Sequence, residues 1–104
     1  MTGPSLRVAR SVVAEMARFA ALEVPGVQRV ARGGTGWLDA LRGGPVQVRL
    51  RRDGVHLRVW IVARPRTSLP AVAGQVRANV AATIERLLGQ RLGSVLVIID
   101  GVGR

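Results

Sequence analysis

The chain has 104 residues, 48% of them hydrophobic, which allows one domain with a modest core and excludes a disordered chain. It contains no cysteine, which removes disulfides, thiol nucleophiles and thiolate metal sites together. The formal net charge is +10 and all 16 basic residues are arginine, so the partners to weigh are anionic: nucleic acid, lipid headgroups or an acidic protein.

At the N-terminus, Leu6 and Val8 alternate with Ser5, Arg7 and Ala9, the pattern of a short edge strand. Arg7, Arg10, Glu15 and Arg18 interrupt every apolar run there, so no signal peptide is expected. No stretch approaches the roughly 20 apolar residues of a membrane span. The expected location is the cytoplasm, with any membrane contact peripheral or through a partner.

A first helix is predicted over 10–23. Val12, Val13, Met16, Phe19 and Ala20 recur at spacings of three and four and give one apolar face, with Met16 and Phe19 expected in the core. Pro25 cannot continue that helix, and Gly26 supplies a permissive backbone for a sharp exit. Residues 28–45 carry breakers: Gly33-Gly34-Thr35-Gly36 and Gly43-Gly44-Pro45. The first group lacks the lysine and following Ser or Thr of a phosphate loop and reads as a flexible linker. Trp37 to Leu41 between them allows one or two helical turns.

Two strictly alternating runs follow, Val46 to Arg52 and Val55 to Ile61, joined by Asp53-Gly54. A two-residue turn on Asp53-Gly54 predicts a hairpin pairing Arg52 with Val55, Leu50 with Leu57, Val48 with Val59 and Val46 with Ile61. Its apolar face then holds Val46, Val48, Leu50, Leu57, Val59 and Ile61. The opposite face pairs Arg51 with His56, Arg49 with Arg58 and Gln47 with Trp60.

Ser68 is a plausible N-cap and Pro70 suits a first turn, so a second helix is expected to about Leu88, with Gly89 as its stop. Val72, Val76, Val80 and Ile84 mark its apolar face. Gly74 inside it costs roughly 1 kcal/mol against alanine, which close packing on the sheet would explain. Val95 to Ile99 is apolar on both faces, as in a buried parallel strand, with the second helix as the crossover.

These elements predict one domain over residues 1–104. Its class is α/β in the α+β two-layer sense: two helices on one face of a small mixed sheet of three to four strands, in the order helix-strand-strand-helix-strand.

Chemistry-bearing groups are sparse. His56 is the only histidine and its predicted neighbours are arginines. Asp53 is explained by the turn, and Glu85 beside Arg86 reads as a solvated helix face. No predicted element brings two carboxylates together, and metal-ligand spacing is absent. No catalytic residue, metal site, cofactor or small-molecule substrate is expected, and the chain is read as a non-enzyme. The candidate partner-binding residues are Arg49, Arg51, His56, Arg58 and Trp60. A large aromatic among arginines suits a protein interface. The same face admits a nucleic-acid-binding reading, or one of anionic lipid, but three aromatics in the whole chain make a poor series of base platforms.

The close of the first helix, Glu23-Val24-Pro25-Gly26-Val27, and the final Val95-Leu96-Val97-Ile98-Ile99-Asp100-Gly101-Val102 resemble the bacterial alkaline shock, envelope stress response family. The resemblance extends over the chain through Val12, Val13, Ala17, Ala21, Val48, Val59, Ile61, Val76 and Val80. It implies a small, non-enzymatic interaction or scaffold protein that docks on a membrane-anchoring or other protein partner, and that in some members self-associates. The basic charge is unlike the acidic balance expected of many members.

Overall fold

The computed structural model describes residues 3–32 and 44–103. The first helix, α1, spans Gly3–Leu22, about two turns longer at its start than the periodicity predicts. Pro4 falls in the first turn, where a missing N–H is harmless, and nothing from Leu6 to Arg10 breaks a helix. Two alternating apolar positions were too few to define a strand.

The buried stripe of α1 is Val13, Ala17, Ala20 and Ala21, not the one through Val12 and Phe19. Phe19 is 51% exposed, with the Arg18 guanidinium over its ring. Helix packing explains the rotation. Methyl-sized side chains let α1 lie close to the second helix, α2 (Leu69–Leu88), whose Asn79 donates from Nδ2 to the Ala20 carbonyl at 2.7 Å. Met16 is partly buried against the same core.

Beyond α1 the chain turns through Val24 to Gly26 and enters β1 (Val27–Val30), a strand that the breaker-rich reading of 28–45 did not predict. Gly26 has no positive φ. It is needed because a Cβ there would overlap the Val72 side chain of α2. The Gly33–Gly36 linker and the Trp37–Leu41 turns lie outside the described residues.

The hairpin forms from β2 (Val46–Arg51) and β3 (Gly54–Ala63). Its register differs from expectation by two residues: Leu50 pairs with Val55, Val48 with Leu57 and Val46 with Val59. The predicted turn would need a positive φ at Asp53. Among the described residues Arg66 is the only non-glycine with one, so Arg52 and Asp53 form the turn and Gly54, at φ 125°, takes the strained position after it. A shift of two preserves side-chain parity, so Leu57 and Val59 are buried and Arg58 is exposed as predicted.

α2 follows its sequence signals. Ser68 accepts from the Ala71 N–H, Pro70 lies in the first turn, and Gly89 at φ 70° closes the helix with its N–H on the Glu85 carbonyl. Gly74 meets nothing within 4 Å of a built Cβ, so close packing is not its reason. The Glu85 carboxylate accepts from the Leu92 N–H at 2.9 Å and fixes the turn into the last strand. That strand, β4 (Ser94–Val102), runs parallel to β3. It is half-buried rather than enclosed: Val95, Val97 and Ile99 pack on the core, whereas Leu96 is 51% exposed.

β3 is the centre of the sheet. β4 pairs with it from His56 to Ala63, β2 from Gly54 to Val59, and β1 from Ile61 to Ala63. A strand has two edges, so β1 and β2 must share the edge opposite β4 and lie in line along it. Both helices cover the face carrying Val55, Leu57, Val59 and Ile61, and Val76, Val80 and Ile84 of α2 complete the core. The class is the predicted two-layer α+β arrangement, and among the described residues the order has one strand more: helix-strand-strand-strand-helix-strand.

Candidate functional site

The face of the sheet away from the helices carries the alternate residues. The register sets them in rows: Arg49, His56 and Ser94 across one, then Gln47, Arg58 and Leu96, then Trp60 and Ile98. The predicted Arg49–Arg58 pair is therefore not formed. Arg49 stands beside His56 and Arg58 beside Gln47, which removes a like-charge contact. Arg51, predicted opposite His56, lies beside Gly54 at the turn.

Arg49, Arg51, Arg58, His56, Ser94 and Leu96 line a shallow depression of about 260 Å³, with the acid Asp53 at the same wall. Glu15 forms an ion pair with Arg18, and the Asp53 carboxylate is bonded to His56. The side chains of Arg49, Arg51 and Arg58 form no hydrogen bond or salt bridge among the described residues.

His56 is fixed from three sides. Its Nε2 lies 2.7 Å from Asp53 Oδ1 and its Nδ1 2.7 Å from Ser94 Oγ. A Cβ on Gly93 would stand 2.6 Å from Cε1 and Nε2, so glycine is required for the imidazole to lie against the strand. The hydrogen bond from His56 holds the Asp53 carboxyl below the usual carboxylate range, with a smaller contribution from the Arg51 charge. Asp53 and Ser94 were not among the predicted site residues. Their only sequence signal was the three-residue spacing of Asp53 and His56 across the turn. Ser94 reaches His56 only through the parallel β3–β4 register, which no local pattern encodes.

Trp60 is buried, at 9% exposure, and the Arg32 guanidinium carbon lies 4.0 Å from its ring centroid. Its main chain is bound twice: its carbonyl accepts from the Ala31 N–H at 3.1 Å and its N–H donates to the Pro45 carbonyl at 2.8 Å. Ala31 and Pro45 thus meet the sheet edge opposite one residue. Trp60 is a foundation of the face, not an exposed anchor on it.

Ser94, His56 and Asp53 have the connectivity of a hydrolytic relay but not its setting, for Ser94 opens an exposed edge strand and the imidazole sits among arginines. Among the described residues no three His, Cys, Asp or Glu side chains come together as a metal site.

Residues 2–104 match the alkaline shock protein 23 family, described as having a cell envelope-related function, and the chain belongs to it. No curated protein matches it. Among solved structures, a doubly substituted MamM CTD is similar at 20% identity and TM-score 0.62, over 90% of this chain and 82% of that one. A copper form of the MamM CTD is similar at 19% identity and TM-score 0.62, over 88% and 84%. These likenesses concern the fold. Among the described residues no helix is long and apolar enough to cross a membrane.

Proposed function

We propose that this chain, as one domain over residues 1–104, is an adaptor of the cell envelope response that docks on an acidic surface of a protein partner through the open face of its sheet. The observation that carries this reading is the set of arginines at 49, 51 and 58 on one concave face, where the lining holds a single acid, Asp53, already bonded to His56. All three arginines are exposed, and a face with this excess of positive charge attracts an acidic surface. His56 and Leu96 belong to the same surface, and Trp60 lies buried further along the same face. A membrane-anchored protein partner would place the chain in the cytoplasm beside the membrane. The depression favours a projecting side chain over a flat lipid surface, and Trp60, the one aromatic among the described residues of this face, is buried and offers no stacking platform for bases.

The test is proximity crosslinking in the native cell, followed by direct binding of the recovered protein to purified wild type and to an Arg49→Glu/Arg58→Glu variant. Loss of that binding in a folded variant is expected. Unchanged binding, or tight salt-sensitive binding to duplex DNA lost in the same variant, overturns the reading.

A further inference from the structure

We infer that the open face recognises carboxylates of an acidic protein segment at Arg49, Arg58 and Ser94, and that His56 makes this recognition proton-linked, tighter when its imidazole is protonated. The inference rests on the docking reading above and adds the chemistry of the ligand and its control.

The groups facing His56 are Asp53 from the turn, Arg49 and Arg51 from β2, Arg58 from β3 and Ser94 from β4. An ionised carboxylate only accepts, so the contact with Asp53 requires the proton on Nε2. In the neutral imidazole Nδ1 then carries a lone pair. The Ser94 hydroxyl donates to it and turns only lone pairs outward. When Nδ1 takes a proton from solvent, the N–H donates to Ser94 Oγ instead. The hydroxyl hydrogen is then free to point into the depression. One protonation therefore changes two things for an incoming carboxylate: it adds a positive charge to the row Arg49–His56–Ser94, and it converts Ser94 from acceptor to donor.

The ring is built to act this way rather than to rotate freely. Two 2.7 Å contacts and the Gly93 backbone hold it in a single pose. A carboxylate suits the site because arginine binds it in a fork. The exposed Leu96 beside Arg58 offers contact for the methylenes of a glutamate. A recess of about 260 Å³ takes one projecting side chain, which a membrane plane does not supply.

The experiment titrates the full chain with an end-blocked hexaglutamate peptide at constant ionic strength, at about pH 6 and about pH 8. Glutamate ordinarily titrates near about 4.3, so the peptide charge barely changes. Binding is expected to be about two- to fivefold tighter at the lower pH, the scale of one added exposed charge-assisted contact. Saturating peptide should raise the titration midpoint of the His56 ring followed by NMR. His56→Gln should retain binding and lose the pH ratio. Ser94→Ala, which keeps the imidazole charge, should reduce the ratio. Equal affinity at both pH values overturns the inference, as does a ratio that survives in His56→Gln. Binding to phosphatidylglycerol vesicles but not to the peptide also overturns it. The two readings fail separately. A partner bound through the arginines with no pH ratio sinks only the proton linkage. A peptide ratio with undiminished partner binding by Arg49→Glu/Arg58→Glu sinks only the docking reading.

Discussion

The Arg32 guanidinium lies over the indole of Trp60, 4.0 Å from the ring centroid, at the point where the first edge of the sheet is interrupted. Ala31 and Pro45 both bind the Trp60 main chain, so one residue joins β1, β2 and β3. Trp60→Ala is expected to lower stability by about 3–5 kcal/mol, the range for loss of a buried large aromatic. Trp60→Phe should recover most of it. Denaturant unfolding of both variants checks this. A Trp60→Ala protein as stable as wild type would place the indole outside the packed structure.

Leu57 is 1% exposed at the centre of β3, whereas Phe19 is 51% exposed on α1. Leu57→Ala should cost about 2–5 kcal/mol. Phe19→Ala should stay within about 0.5 kcal/mol of wild type, since it removes a surface ring and not a core one. Chemical denaturation of the pair separates the buried stripe of α1 from the one that apolar periodicity suggests. A larger loss for Phe19→Ala would restore the latter.

That contrast shows what the sequence makes legible. Alternation in β2 and β3, the Ser68 cap, Pro70 and Gly89 are local signals, and each produces the element it predicts. The rotation of α1 depends on its distance from α2, so Ala17, Ala20 and Ala21 win over larger side chains for a reason that no window of α1 contains. β1 was hidden because four residues beside a breaker-rich stretch carry little period, and it exists by pairing with β3. Of the site, the arginine face followed from hairpin parity. The His56–Ser94 contact did not, because it joins residues 38 apart across a parallel register.

Two glycines should respond in opposite directions. A Cβ at Gly74 meets nothing, so Gly74→Ala should stabilise the protein by roughly 1 kcal/mol through helix propensity. A Cβ at Gly26 overlaps Val72, so Gly26→Ala should destabilise it by pushing α2 away. Melting temperatures of the two variants should fall on opposite sides of wild type. Equal shifts would contradict the close approach at Gly26.

Acid should weaken the fold. Asp53 is held below the ordinary carboxylate range by the hydrogen bond from His56, and Glu15 by the one from Arg18. A depressed folded-state value contributes stability that is full above the unfolded range, near about 4, and is lost as pH falls through the folded value. Thermal unfolding should therefore move to lower temperature between about pH 5 and about pH 2. Asp53→Asn combined with Glu15→Gln should flatten that slope. The contribution is small, because both carboxylates are solvent-exposed. An unchanged slope in the double variant would assign the acid sensitivity to other groups.

The most direct measurement is the affinity of purified wild type and Arg49→Glu/Arg58→Glu for the protein partner recovered by crosslinking, at two salt concentrations and with folding of the variant verified. Docking through the open face predicts a loss of at least about tenfold in the variant. It also predicts that wild-type affinity falls as salt rises, because exposed charges are screened beyond about 8–10 Å. Equal affinity for both proteins, at either salt concentration, would show that the partner binds elsewhere and that the arginine face is not the docking surface.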